Sequence, residues 1–304
     1  MTGIWIIWNG LDINGESEYT QSICYSFEGL YMSIIVPSTS IVQFWFNKKI
    51  NQSINGTPKF IEESLNILLR NKRILSEGVE IFLMPSRLSP FSDFSIKFYK
   101  IFHKFKYKTV HIHERKDILL SDGYEYKLSI LNNILNKLNV NKIIIHAHFF
   151  QKDRFKKKYI LNSLLERKTI IIENNGFDNE WGSEINNLTS IFKDCPEFQF
   201  CLDLAHIKDF NKYSLSDFYN NHVLYSRLKE IHFSYSTRFC KDDPYEKKGF
   251  KGYGPYHALF SILKKSPSTK TKKFITKYPL VLEGVVPKED MNLDYLIKEM
   301  ELLK

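Results

Sequence analysis

The chain has 304 residues with 43 Lys or Arg against 34 Asp or Glu, a formal net charge of +9 at pH 7, and it is 43% apolar and 25% charged. Those fractions are ordinary for a globular protein and exclude wholesale disorder. No uninterrupted apolar run approaches the ~20 residues of a membrane-spanning helix, and the first ten residues lack the basic start and long apolar run of a secretory signal, so no membrane partner and a cytoplasmic setting are expected.

Residues 1–31 show no clear period. They read either as a β-hairpin at the barrel bottom or as a first strand at Ile4–Trp8, and are treated as an N-terminal extension to a domain over 32–304. From Met32 onward, short β-branched runs alternate with amphipathic stretches. The strand-like run Met32–Val36 is followed by the helix-like Lys59–Leu69, Val79–Met84 by Phe91–His103, and Thr109–His113 by Tyr124–Leu138. Lys142–His148 is followed by Arg154–Leu165, Thr169–Glu173 by Trp181–Phe192, and Phe198–Asp203 by Ser214–Leu228. Lys229–Phe233 is followed by Pro255–Leu263, and Leu280–Glu283 by Leu293–Leu303. In the third helix-like stretch Leu128, Leu131, Ile134, Leu135 and Leu138 fall on one stripe of a 3.6-residue period.

The strand-like runs are almost continuously apolar, as strands are when helices cover one face and a packed interior the other. Eight strand–helix repeats, spaced by roughly 30 residues over most of the chain, predict an α/β fold: a closed (β/α)8 barrel in a single domain. Residues 38–58 form an insertion after the first strand and residues 237–254 a long loop after the seventh. An open doubly wound sheet is the alternative, but it would show a Gly-rich first turn, and no Gly-x-Gly-x-x-Gly occurs. The four cysteines, Cys24, Cys195, Cys201 and Cys240, include no Cys-x-x-Cys pair, which excludes a zinc ribbon or a dithiol redox site. The lysines are scattered among Asn and Ile, a bias that a base-skewed genome would also produce, so charge alone does not select a polyanionic partner.

In such a barrel the chemistry sits where the strands end. The third strand ends in His111-Ile112-His113, the fourth in His146-Ala147-His148, the fifth in Glu173 and the sixth in Asp203-Leu204-Ala205-His206. The seventh carries His232 and the eighth ends in Glu283. Taken singly, each is more simply a hydrogen-bonded rim residue or an ion-pair partner. Six successive strand ends bearing imidazole or carboxylate converge on one axis, where unpaired charge is costly and a divalent cation removes the cost. Oxygen and imidazole ligands suit Zn, Mn, Fe or Co. His111 shares a face with His113, and His146 with His148, by the period of two; one of each pair is expected to reach the metal, and His113 and His146 are taken. His103 and His222 stand apart from this pattern.

The same residues carry a resemblance. Ile-Ile-Ile-Glu173-Asn174-Asn175-Gly176 resembles the fifth-strand motif of the xylose isomerase-like TIM barrels, and especially of their endonuclease IV branch. Asp203-Leu204-Ala205-His206, Glu230-Ile231-His232-Phe233-Ser234, Gly252-Tyr253-Gly254 and Val281-Leu282-Glu283 are similar to that branch's later motifs, over roughly residues 79–300. The resemblance implies a four-ligand core of Glu173, Asp203, His232 and Glu283, with His113 and His146 as the added histidines of the endonuclease IV branch and Glu173 bridging two ions. His206 matches a ligand of a third metal there, or a substrate-contacting histidine in epimerases. That branch carries an Asp-x-His in the loop after strand seven, whereas this chain reads Asp242-Asp243-Pro244-Tyr245-Glu246-Lys247, and Val36-Pro37-Ser38-Thr39 offers no first-strand histidine. One or two ions (Zn, Mn or Fe) are therefore expected.

Three activities follow from the resemblance. The first is metal-assisted hydrolysis of a phosphodiester, with nucleic acid as partner, Lys241, Lys247, Lys248 and Lys251 near the phosphates, and Glu283 or Glu173 positioning water. The second is isomerisation or epimerisation of a small polyhydroxy compound, with Glu173 and Glu283 exchanging the proton. The third is an oxidative modification of a peptide substrate by a multinuclear iron centre. Glu173, Glu283 and His206 are the catalytic candidates in this set.

Overall fold

The computed structural model describes residues 34–46, 55–75, 77–114, 123–165, 167–176, 181–210, 212–238, 240–251, 253 and 256–304. The expected N-terminal extension, the start of the first strand at Met32, part of the 38–58 insertion, and Gly252 and Gly254 lie outside the described residues.

Eight parallel strands form the barrel: β1 (Ile35–Pro37), β2 (Gly78–Leu83), β3 (Tyr107–Ile112), β4 (Lys142–His146), β5 (Thr169–Glu173), β6 (Gln199–Asp203), β7 (Leu228–Phe233) and β8 (Leu280–Leu282). From β2 to β8 each strand pairs with the next in sequence order, and β8 pairs also with β1, leaving β1 and β2 at the ends of the sheet. The seam between β1 and β2 is drawn together by a bridge from Ser38 to Glu80 and by the Phe82 N–H donating to Thr39 Oγ1 at 2.9 Å. The barrel is nearly closed, as the eightfold alternation predicts.

Helices surround it. Tyr124–Leu138 is helical over the predicted span, its five stripe residues buried, and Asn139 ends it in the left-handed region with its N–H on the Leu135 carbonyl. Other spans differ for local reasons. Ser95 caps the second helix, which therefore runs only Ile96–Phe102. The expected Ser214–Leu228 helix breaks at Asn221, whose side chain accepts from the Leu224 N–H at 3.1 Å and starts a new helix, His222–Arg227. Of the expected Pro255–Leu263 helix, Pro255 lies outside the described residues and, among the rest, Phe260–Leu263 is helical; His257–Ala258 instead pairs antiparallel with Tyr235–Ser236, making a small ribbon from the loop after β7. β4 ends at His146, and Ala147–Phe150 turns into a 3-10 helix, so His148 does not continue the strand alternation. Among the described residues no helix is long and apolar enough to cross a membrane.

The main core lies between the strands and the helices. The barrel interior is layered. Val36, Tyr107 and Val281 form one small cluster there, and Ile144, Ile171 and Cys201 another. Beyond them come charged residues, which the register aligns: His146 is level with Glu173, and Asp203 with His232.

Leu131, fully buried in the predicted stripe, sets a test of the packing. Leu131→Ala should cost about 2–5 kcal/mol in urea denaturation, whereas Tyr126→Ala, on the exposed side of the same helix, should stay within about 0.5 kcal/mol.

Candidate metal centre

The strand-end motifs have local structural reasons. Asn174, just past β5, clasps β6: its Nδ2 donates to the Asp203 carbonyl at 3.1 Å and its Oδ1 accepts from the Asp203 N–H at 2.8 Å. Asp203 Oδ1 accepts from the N–H groups of Ala205 and His206 at 2.6 and 3.2 Å, capping the helix Leu204–Phe210 that follows directly. Its other oxygen, Oδ2, is buried without a hydrogen-bond partner. His206 Nδ1 lies 2.7 Å from the Asn174 carbonyl, which can only accept. Nδ1 therefore carries a hydrogen toward that carbonyl, and Nε2 faces Asp203 Oδ2 at 3.5 Å. Gly176 is required because a Cβ there would meet the His206 ring at 2.6 Å. The Glu-Asn-Asn-Gly and Asp-x-x-His motifs are thus one interlocked unit.

Ligand atoms gather in groups, each within 4.8 Å: three at the mouth, Glu173, Asp203, His232 and Glu283; His111, His113 and His146; and Asp203, His206 and His257; and two reaching deeper, Glu80, His111, His232 and Glu283; and Cys201, Glu230 and His232. Within them, Glu173 Oε2 stands 3.0 Å from His111 Nε2 and 3.7 Å from His146 Nε2, while its Oε1 stands 3.5 Å from His232 Nδ1 and 3.6 Å from His206 Nδ1. Glu283 Oε1 lies 3.2 Å from His232 Nδ1 and 3.6 Å from His111 Nδ1, and Oε2 lies 3.7 Å from His257 Nδ1. His113 Nδ1 is 3.4 Å from His146 Nε2. Every candidate read from the sequence, His113, His146, Glu173, Asp203, His206, His232 and Glu283, therefore falls in this cluster. His148 belongs to none of these groups; its ring lies against Phe149.

The structure adds residues to the sequence reading. His111 sits between Glu173 and Glu283, with only 4% of its surface exposed; the alternation had offered it equally with His113. Glu80 on β2 and Glu230 on β7 lie inside the barrel with no exposed surface. They fall mid-strand, away from the strand ends that carry the sequence signal. His257 comes from the ribbon. Its contribution to the loop after β7 was invisible because it depends on an antiparallel return strand, whereas a local Asp-x-His spacing would have been legible.

Electrostatics show why these groups tolerate one another without a cation. Burial by itself raises Glu173 and Glu283, but the imidazoles around them hold both well below the usual carboxylate range. Burial lowers His111 and His257, but the carboxylates outweigh it and push them up to about 10 and about 9. Asp203 is pushed up to about 6 by burial, and burial with neighbouring imidazoles keeps His146 well below its ordinary value. His111 and His257, raised in this way, supply positive charge that the carboxylates need, and His146 does not. The donor set is imidazole nitrogen and carboxylate oxygen, and both oxygens of Glu173 and both ring nitrogens of His111 and His232 are buried without hydrogen-bond partners. Such a set fits a divalent transition ion.

No family model matches the chain, and no curated protein matches it. Among solved structures it is similar to AsfvAP, in the crystal structure of AsfvAP:AG, with a TM-score of 0.55 and 15% identity over 90% of this chain and 99% of that one. It is likewise similar to the probable 3-DHS dehydratase AsbF involved in petrobactin synthesis from Bacillus anthracis, with a TM-score of 0.57 and 13% identity over 90% and 98%. At these identities the likeness is one of fold, a (β/α)8 barrel.

Two outcomes are expected. The double variant Glu173→Gln, Asp203→Asn should lose the divalent metal that the wild type retains, by elemental analysis; equal content in both would refute a shared site. Because His111 and His257 hold protons near neutral pH, ligation must expel them. Affinity for zinc should therefore weaken as pH falls from 8 to 6, and calorimetry in two buffers of different ionisation heat should show net proton release.

Proposed function

We propose that the protein is a divalent-metal-dependent phosphodiesterase of the endonuclease IV type, acting on nucleic acid. The observation that carries this reading is the Asp203–His206–His257 group beside the other two at the mouth. The sequence lacked an Asp-x-His after strand seven, which pointed to one or two ions. With His257 supplied from the ribbon, three ligand groups adjoin and share Glu173-centred and Asp203-centred contacts. A one-ion isomerase needs only one such group, so the geometry favours a multinuclear centre.

In this reading Glu173, Asp203, His232 and Glu283 hold one ion, His111 or His113 with His146 and Glu173 a second, and Asp203, His206 and His257 a third. Ions bound there supply Lewis acidity toward a phosphodiester and make water a stronger nucleophile. The remaining work belongs to the chain. Glu283 is the least enclosed of the three mouth carboxylates, its side chain 9% exposed, and can accept a hydrogen bond from the attacking water. The lysines of the loop after β7, Lys241, Lys247, Lys248 and Lys251, are exposed and suit phosphates flanking the cut. The loop that bears them is anchored: Tyr245 is fully buried, its OH donating to the Val285 carbonyl at 2.5 Å and accepting from the Leu259 N–H at 3.0 Å. Phe91, 93% exposed after β2, and Tyr256, 63% exposed next to His257, offer aromatic faces on which bases could stack.

The direct test is incision of an abasic-site duplex by metal-loaded protein. Cleavage that disappears in Glu173→Gln supports the proposal; a fully loaded protein that leaves the duplex intact defeats it and turns attention to small polyhydroxy or peptide substrates. Replacing the four loop lysines by Ala should raise KM for the duplex about tenfold or more at low salt, with the difference shrinking as salt rises.

A further inference from the structure

The barrel interior beneath the mouth should be filled by apolar side chains, and near Val36, Ile144, Ile171 and Val281 it is. Glu80 and Glu230 interrupt that layer, both without exposed surface. A carboxylate in such a place is costly unless it is compensated. Each has one anchor. Glu230 accepts from the Tyr107 hydroxyl, whose ring is covered by Lys142 Nζ at 4.3 Å, and Glu80 Oε2 accepts from Thr109 Oγ1 at 3.5 Å. The other oxygens, Glu80 Oε1 and Glu230 Oε1, are buried without hydrogen-bond partners.

What these acids face is the inner edge of His232. Its Nε2 lies 3.2 Å from Glu80 Oε2 and 3.4 Å from Glu230 Oε1, while its Nδ1 faces Glu283 and Glu173 at 3.2 and 3.5 Å. Glu80 Oε1 also reaches within 3.8 Å of His111 Nδ1, whose Nε2 faces Glu173. An imidazole keeps its hydrogen on the nitrogen that has an acceptor and offers a lone pair from the other.

We propose that Glu80 and Glu230 are positioning residues: they hold the ring hydrogen of His232 on Nε2, so that Nδ1 is the nitrogen presented to an ion held by Glu173 and Glu283. The proposal rests on the metal reading above. Glu80 gives His111 the same orientation, with Nε2 toward Glu173. Two negative charges behind the ligands also make the imidazoles stronger donors and bind the cation more tightly.

The test uses zinc and the full chain. In zinc-loaded wild type with nitrogen-15 histidine, the His232 resonances should show a ligated Nδ1 and a protonated Nε2 whose hydrogen exchanges slowly with water. The double variant Glu80→Gln, Glu230→Gln should bind zinc about 10–100-fold more weakly, with the same number of ions per chain at saturation. A ligated Nε2 in wild type, or unchanged affinity in the folded variant, overturns the positioning role. So does a fall in ions per chain, which would make ligands of the acids themselves, Glu80 with His111, His232 and Glu283 or Glu230 with Cys201 and His232. If the double variant fails to fold, the wild-type spectrum decides. Wild type that takes up no zinc defeats the metal reading itself, an outcome distinct from zinc bound through the wrong nitrogen.

Discussion

Burial of negative charge is the constraint on which this molecule turns. Glu173, Asp203, Glu80 and Glu230 have no exposed surface, and Glu283 has little. In a medium of low dielectric such a set repels itself by far more than a domain's net stability unless positive charge is interleaved. The chain interleaves imidazoles: the carboxylates around His111, His232 and His257 favour their charged form, and each of the three stands within 3.0–3.7 Å of a carboxylate oxygen, while His146 is held toward its neutral form. Imidazole is the one side chain that serves either as a cation or, after losing a proton, as a ligand. The same groups that offset the buried acids as imidazolium are therefore, once deprotonated, of the kind that ligates a transition ion.

The scaffold spends much of its local structure on orienting these groups. Asn174 binds the ends of β5 and β6 to each other, Asp203 caps the helix that follows it, and Gly176 leaves room for the His206 ring. The Asp203 contacts use its Oδ1 and leave Oδ2 without a hydrogen bond, which is how a polar group is both fixed and available. On the opposite side the ribbon returns His257 to the mouth, its backbone carbonyl accepting from the Val285 N–H at 3.1 Å just after β8. The loop after β7 is long, but Tyr245 and Tyr253 pin it: the Tyr253 hydroxyl donates to Glu289 at 2.6 Å and accepts from the Lys288 N–H at 2.8 Å. The lysine-bearing segment is thereby held against the barrel by buried aromatic anchors.

The fold alone does not choose a reaction, since one barrel supports many chemistries by varying what its strand ends and loops carry. What separates the readings here is the number and adjacency of ligand groups. Asp203 belongs to two of the mouth groups and Glu173 reaches His111 and His146 of the third, so the three lie side by side, and a loop of exposed lysines leaves the same end of the barrel.

Much of this was legible in the sequence. Strand–helix alternation fixes a parallel barrel because only covered strands can be apolar on both faces, and the phase of that alternation places His146, Glu173, Asp203, His232 and Glu283 at one mouth. The stripe in Tyr124–Leu138 determined a helix to the residue, since side-chain periodicity is a local property. Three things were decided only in three dimensions. Glu80 and Glu230 lie mid-strand, and nothing in sequence distinguishes an inward buried acid from an outward exposed one until the register is closed. The helix expected at Ser214–Leu228 was broken by Asn221, whose side chain competes for the backbone only when its geometry is realised. His257 reached the cluster through pairing with Ser236 across a long loop, a contact between residues 21 apart that no local spacing encodes.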